Sequence, residues 1–169
     1  MAEQMLAALA YLHELSVIHR DVKPSNFLLH EDGRVMLADF GISLRAEDTR
    51  LTRTLERLGS LAYAAPELRT GRDVDTASDI YSLGLVLQAL LTGQEAPERP
   101  GEGLSGSLGS LVVRMVEPRP DDRPSAVECL AFLRGASGGQ LHQAVLSGEL
   151  SMAQKQACLF ALTRQLADM

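Results

Sequence analysis

The sequence predicts a mainly helical α+β domain in which one short β-hairpin accompanies several helices. Three observations indicate this fold class. Apolar residues recur at helical spacing over residues 2–15 and 76–91, two short apolar runs flank a turn at residues 31–33, and only helical patterns follow. With 169 residues, the chain has the size of one domain with a single core.

The first half of the chain predicts one helix and the hairpin. Leucines on one face predict a helix over residues 2–15, and residues 17–19 predict a very short strand. The apolar runs at 27–29 and 35–38 predict two paired strands, because Gly33 in the turn between them is free to adopt positive φ. The second strand then delivers Asp39 at its end.

The second half predicts helices joined by loops. A long loop is expected over 42–63, then a helical turn opened by Pro66, then the most apolar helix at 76–91, ended by Gly93. A loop over 94–109 and a helix core at 111–116 follow. Ser125 and Glu128 form a capping box before a helix that continues to residue 134. Residues 135–139 predict a flexible joint and 140–169 a helical tail.

Composition and charge exclude several classes of protein. The net charge of −6 without a basic stripe argues against nucleic-acid binding. No apolar run predicts a membrane segment, and the N-terminus does not resemble a signal peptide. Cys129 and Cys158 are isolated, which favours ordinary thiols in a reducing compartment, so we expect a cytoplasmic protein. His13, His30 and His142 show no partner pattern and are expected at the surface.

The stretch from residue 19 to 26 concentrates the chemistry of the chain. Asn26 and Asp39 offer the oxygen ligands that Mg²⁺ prefers beside a polyphosphate. Asp21 can orient a hydroxyl group and accept its proton, and Lys23 offers a positive charge to a phosphoryl group. Base, cation and metal ligands together are the components of phosphoryl transfer.

Three motifs in this order carry a family resemblance: His-Arg-Asp-Val-Lys-Pro-Ser-Asn at 19–26, Asp-Phe-Gly at 39–41 and Ala-Pro-Glu at 65–67. They resemble the catalytic loop, the metal-binding triplet and the end of the activation segment of eukaryotic-type serine/threonine protein kinases. The resemblance covers about residues 2–134 and implies the helical C-terminal lobe of that fold, with the hairpin carrying the catalytic loop and the triplet.

The resemblance implies a role for each residue of the site. Asp21 would be the catalytic base, and Lys23 would contact the transferred phosphate. Asn26 and Asp39 would hold Mg²⁺, and Leu28 would lie beneath the adenine of ATP.

The resemblance also implies structural residues. His19 and Phe40 would stack in the regulatory spine, and Gly41 completes the metal-binding triplet. Asp79 would cap the backbone of the catalytic loop. Glu67 and Arg123 would form a buried ion pair.

A third set implied by the resemblance lies in the activation segment. Arg20 would receive a phosphate group from that segment, for which Thr52 and Thr54 are the favoured positions. Ser60 would place its hydroxyl against Asp21 and Lys23.

Two accounts of function stay open, because the sequence shows no glycine-rich loop, strand lysine or hinge of an N-terminal lobe. The first helix has no N-cap, which fits a chain that begins inside a kinase domain, and residues 94–109 look too short for the family's substrate-side helix. In the first account, the chain is the C-terminal lobe of a kinase that uses ATP and Mg²⁺ to phosphorylate Ser and Thr of protein substrates.

In the second account, the chain is a non-catalytic lobe that serves as a regulatory or protein-binding module. A missing N-terminal lobe or a partner protein would then contact its exposed cleft and its tail. Under both accounts we expect little kinase activity from the isolated chain, and exposed apolar surface around Leu28, Leu37 and Phe40.

Overall fold

A computed structural model describes residues 1–39, 60–95 and 97–136. The predictions for Phe40, Gly41, Thr52, Thr54 and the tail at 140–169 lie outside these residues. The helices and strands in the described ranges, in chain order, are α1 (Ala2–Glu14), β1 (Phe27–Leu29), β2 (Val35–Leu37), α2 (Pro66–Thr70), α3 (Thr76–Thr92), α4 (Gly106–Met115) and α5 (Ala126–Ala136). The mainly helical class with one small hairpin is therefore confirmed.

The helix α1 forms where its apolar face predicts it, with Met5, Leu6, Leu9 and Leu12 buried. The predicted strand at 17–19 is wrong. Val17 and Ile18 favour extended backbone, but a strand needs a neighbour, and the sheet in the described ranges consists of β1 and β2 alone.

The hairpin has the predicted strands and turn. In the antiparallel pair, Phe27 lies opposite Leu37 and Leu28 opposite Met36, and Gly33 adopts a φ of 84° in the turn. Alternation along the strands buries Phe27, while Leu28 and Met36 are 50% and 47% exposed on the other face. The expected exposure holds for Leu28. Leu37 is only partly exposed, because it packs against the core.

The helix α3 lies at the centre of the fold and is buried on most sides, as its apolar sequence predicts. It begins at the N-cap Asp75, whose carboxylate accepts a hydrogen bond from the backbone of Ala77 (2.8 Å), and it ends at Gly93 with a φ of 70°. It packs against α4, while α1 packs against α5 and β2. The core thus forms between these helices beneath the hairpin.

A buried glutamine shapes the connection from α3 to α4. The amide nitrogen of Gln88 donates to the carbonyls of Arg99 (3.0 Å) and Glu102 (2.9 Å), and its amide oxygen accepts from the backbone of Gly101 (2.9 Å). The loop is shorter than the predicted range of 94–109, because α4 begins at Gly106.

The helix α5 begins with the predicted capping box. Ser125 Oγ accepts from the backbone of Glu128 (3.3 Å), and the Glu128 carboxylate accepts from the backbone of Ser125 (2.8 Å). Cys129 is free and buried, and burial raises the pKa of its thiol to about 12, so it is an unreactive core residue. The helix continues to Ala136, two residues into the predicted joint.

Among the described residues, every helix is too short or too polar to cross a bilayer.

Candidate active site

Asp79 of α3 fixes the backbone of the loop between α1 and β1. Its two carboxylate oxygens accept hydrogen bonds from the backbone nitrogens of His19 and Arg20, both at 2.8 Å. Asp79 is buried, and its charge is balanced by these donors rather than by water. The contact that the resemblance implies is therefore present, and it joins the candidate site to the most buried helix.

His13 is a partner of Asp79 that the sequence did not reveal. Its Nε2 lies 2.9 Å from Asp79 Oδ2, and only 11% of its side chain is exposed, so the expectation of a surface residue is wrong. The signal was its position four residues after the buried Leu9, on the apolar face of α1. His30, by contrast, is exposed and pairs with Asp32 in the hairpin turn.

The side chains of Lys23 and Asn26 both contact the carboxylate of Asp21. Lys23 Nζ lies 2.8 Å from Asp21 Oδ2, and the amide nitrogen of Asn26 donates to the same oxygen (3.2 Å) and to the backbone carbonyl of Asp21 (2.7 Å). Asn26 is buried, whereas the Asp21 and Lys23 side chains keep 23% and 16% of their surface exposed. The carboxylate is therefore held in a fixed orientation and still accessible.

Ala38, the residue before Asp39, is hydrogen-bonded to the loop at 19–26. The backbone nitrogen of Ala38 donates to the carbonyl of Asn26 (2.8 Å), and its carbonyl lies 3.1 Å from Nε2 of the buried His19. Asp39 follows directly, with a φ of 55° that non-glycine residues seldom adopt, and Arg20 on the other side has a φ of 67°. Such backbone conformations concentrate at functional sites, where the surrounding contacts maintain them.

Asn26 and Asp39 each offer an oxygen of the kind that Mg²⁺ prefers. Among the described residues, no group of three or more His, Cys, Asp or Glu could hold a metal on its own. Asn26 uses its amide nitrogen for Asp21, which leaves its amide oxygen with a single long contact to Ser25 Oγ at 3.5 Å. That oxygen and the Asp39 carboxylate are hard ligands, and Mg²⁺ typically takes one or two of these beside water and phosphate oxygens.

Leu28 and Ser60 are two further residues of the predicted site. Leu28 lies on the exposed face of the hairpin, one strand residue away from Phe27 in the core. Ser60 begins a 3₁₀ turn at Ser60–Tyr63, and the contacts of its side chain lie outside the described part of the chain. The stacking implied for Phe40 likewise lies outside it.

Glu67 and Arg123 form a bidentate ion pair away from the loop. The two Arg123–Glu67 distances are 2.6 and 3.0 Å, and Ser78 Oγ donates to Glu67 at 2.7 Å. Burial by itself raises the pKa of Glu67, but the hydrogen bonds from Arg123 and Ser78 outweigh it, so the pKa lies below the usual 4.5. This pair ties α2 and α3 to the segment before α5.

Arg123 is fully occupied by structural contacts. Its guanidinium also donates to three backbone carbonyls and lies 4.8 Å over the ring of Tyr81. Those carbonyls belong to Ala77, Glu117 and Pro118. Its side chain is completely buried, so Arg123 cannot reach a substrate.

Comparison with known proteins points to one family. The family model described as the protein kinase domain matches residues 1–132. The chain is 45% identical over 124 residues to the serine/threonine-protein kinase PknJ of Mycobacterium tuberculosis, covering 71% of this chain and 21% of that protein. It is 36% identical over 159 residues to PkaA of Streptomyces coelicolor, also a serine/threonine-protein kinase. This match covers 82% of this chain and 29% of that protein. The chain thus spans less than a third of the length of these relatives.

Proposed function

The chain belongs to the serine/threonine protein kinase family, and we propose that its loop at 19–26 transfers phosphate from ATP to serine and threonine hydroxyls of protein substrates. The observation that carries the proposal is the convergence of Lys23 and Asn26 on the accessible carboxylate of Asp21. The Asp79 contacts support it, because they hold the loop backbone in place before any substrate arrives.

Asp21 acts as the base in this proposal. Asn26 and Lys23 both engage Oδ2, so the carboxylate is prevented from rotating, and its partial exposure leaves room for a substrate hydroxyl. A hydroxyl within hydrogen-bond reach would be oriented for attack and would give its proton to Asp21.

In this proposal, Lys23 interacts first with the carboxylate of Asp21 and then with the transferred phosphoryl group. At 2.8 Å from Asp21 it stabilises the ionised carboxylate. A phosphoryl group beside Asp21 would lie within reach of the same ammonium group, whose charge then stabilises the negative charge that develops during transfer.

Protein kinases in general use ATP and Mg²⁺, and we propose where this chain would bind them. The amide oxygen of Asn26 and the carboxylate of Asp39 would hold Mg²⁺, which neutralises phosphate charge when bound. The exposed side chain of Leu28 offers an apolar surface on which the adenine would lie. No segment of the given sequence resembles a glycine-rich loop, and in this proposal an N-terminal lobe or a partner protein covers the nucleotide.

We further propose regulation by phosphorylation of Thr52 or Thr54, with Arg20 as the receiving cation. Arg20 is held in its unusual conformation by Asp79, which fixes its backbone beside the catalytic carboxylate. Mass spectrometry of the active full-length protein should find phosphate on one of these threonines. Active protein that carries none would remove this part of the proposal.

The substrates are proposed to be proteins in the cytoplasm that expose serine or threonine. The test is transfer of radiolabelled phosphate from ATP by the full-length gene product to a mixture of proteins, followed by acid hydrolysis. Phosphoserine and phosphothreonine are expected. Labelling of tyrosine alone, or no labelling, would contradict the proposal, and the second result would favour a non-catalytic binding module.

A further inference from the structure

A cavity lined in part by Tyr81 of α3 takes no part in the proposed transfer. It is open, has a volume of about 390 Å³ and lies between the start of α2, the loop at 100–102 and the end of α4. This volume lies within the range of about 300–1,000 Å³ that small-ligand sites occupy. Its walls combine the apolar side chains of Val113, Val116 and Pro118 with Tyr81, Glu102 and Glu117.

The hydroxyl group of Tyr81 makes no hydrogen bond to the residues that the structure describes, although Tyr81 is only 6% exposed. Arg123 covers its ring. Burial raises the pKa of Tyr81, so the phenol stays protonated and can both donate and accept a hydrogen bond. Among the described residues, no buried side-chain oxygen or nitrogen lacks a partner, so the Tyr81 hydroxyl is in contact with solvent in the cavity, where a ligand can bond to it.

The charged groups of the cavity are mainly negative. The carboxylate of Glu117 makes no hydrogen bond within the described part of the chain, since Arg123 contacts only its backbone carbonyl. Glu102 is exposed and is shared with Arg99 at 3.3 Å. Arg123 is already paired with Glu67, so it does not neutralise the charges of Glu102 and Glu117. The lining of the cavity therefore carries two carboxylates, of which Glu102 is paired with the exposed Arg99.

We propose that this cavity is a docking site for a lysine or arginine side chain presented by a partner protein. The aliphatic stem of that side chain would lie against Val113 and Val116, as long basic side chains often cover apolar surface. Its cationic head would donate charge-assisted hydrogen bonds to Glu117 and to the oxygen of Tyr81. Binding here does not depend on phosphoryl transfer, because none of the residues at 19–26 lines the cavity.

The test is an NMR titration of the 169-residue chain with the blocked peptide N-acetyl-Ala-Arg-Ala-amide. A second peptide carries citrulline, the uncharged analogue of arginine, in place of arginine. We expect amide shifts concentrated at Gly101, Val113 and Val116 for the arginine peptide, and about tenfold weaker binding for the citrulline peptide. Shifts elsewhere, no shifts, or equal binding of both peptides would overturn the proposal.

Three variants locate the contact. Glu117→Gln keeps the backbone carbonyl that Arg123 uses, and Tyr81→Phe keeps the ring beneath Arg123, so each removes only the group proposed to bind. Each should weaken binding of the arginine peptide, Glu117→Gln by about tenfold. Glu14→Gln removes an exposed carboxylate at the end of α1 and should leave binding unchanged. Equal affinity in all three variants would overturn the assignment.

Discussion

At the residue scale, the fold depends on two buried carboxylates, Asp79 and Glu67, that serve different purposes. Asp79 joins α3 to α1 through His13, and it joins α3 to the loop at 19–26 through two backbone nitrogens. Glu67 joins α2 to Arg123 and to Ser78. In both cases, removing the carboxylate would leave buried donors without partners, which costs more than the intact contact contributes.

Replacing Arg123 with alanine should lower the free energy of unfolding by about 3–5 kcal/mol, because it leaves the Glu67 carboxylate buried and unpaired. The matched control is Arg134→Ala, which removes an exposed pair with Glu3 and should cost no more than about 1 kcal/mol. Urea unfolding followed by circular dichroism measures both. Similar losses in the two variants would show that burial of the pair does not matter.

Glu67 also predicts a dependence of stability on pH. Because its pKa is lower in the folded chain than its usual 4.5, its contribution is present above pH 4.5 and is lost as the pH falls through the folded value. The free energy of unfolding of the wild type should therefore fall more steeply below pH 4.5 than that of Glu67→Gln. Parallel pH profiles for the two proteins would contradict the lowered pKa.

The sequence predicted individual residues where a short motif contained them. Asp21, Lys23 and Asn26 lie within six residues of each other, so their contacts could be predicted without knowing the fold. His13 was missed because its partner Asp79 is 66 residues away. Gln88 was missed for a similar reason, since its partners are backbone groups of a loop whose path no pattern predicts.

At the element scale, the contact between α3 and α4 depends on the absence of a side chain at Gly84. A Cβ atom there would lie 2.7 Å from Val116 Cγ1 and 3.1 Å from Met115 Cβ. Helices can approach this closely only where one of them presents a small residue.

Gly84→Ala should therefore destabilise the fold by about 1–3 kcal/mol through overpacking. Gly135→Ala is the control, because it lies in α5 with nothing within 4 Å of the added Cβ and should stabilise the helix by up to about 1 kcal/mol. Thermal unfolding distinguishes the two. A melting temperature for Gly84→Ala at or above that of the wild type would contradict the close packing.

The elements that the sequence predicted correctly carry local signals. The hairpin has its turn chemistry at Gly33, α3 has its cap and its glycine stop, and α5 has its capping box. The strand predicted at 17–19 had only β-prone residues, and strand formation depends on a partner that is distant in sequence. The loop predicted at 94–109 was too long, because α4 begins at Gly106 without a side-chain capping bond from its N-cap Ser105.

At the scale of the whole molecule, the hairpin presents an exposed apolar pair, Leu28 and Met36, next to the candidate site. Under the proposed function this surface belongs beneath a nucleotide and a second lobe. The isolated chain exposes it to water, and exposed apolar patches favour association.

We expect the isolated chain to self-associate with increasing concentration, and the double variant Leu28→Ser with Met36→Ser to reduce this association. Val127→Ser removes an apolar side chain of α5 that is still more exposed, at 65%, and should have no effect. Sedimentation velocity over a range of concentrations gives the result. A wild-type chain that stays monomeric at every concentration would contradict the expectation that the exposed apolar surface of the hairpin causes association.

The most direct test of the account is the effect of Asp21→Asn on the rate of phosphate transfer by the full-length gene product. As the proposed base, Asp21 should contribute a factor of about 10² to 10⁴, so the variant should lose at least about a hundredfold in kcat while its fold is unchanged by circular dichroism. Asp73→Asn, a change at an exposed carboxylate, should keep the wild-type rate. If Asp21→Asn transfers phosphate as fast as Asp73→Asn, the loop at 19–26 is not the site of the chemistry.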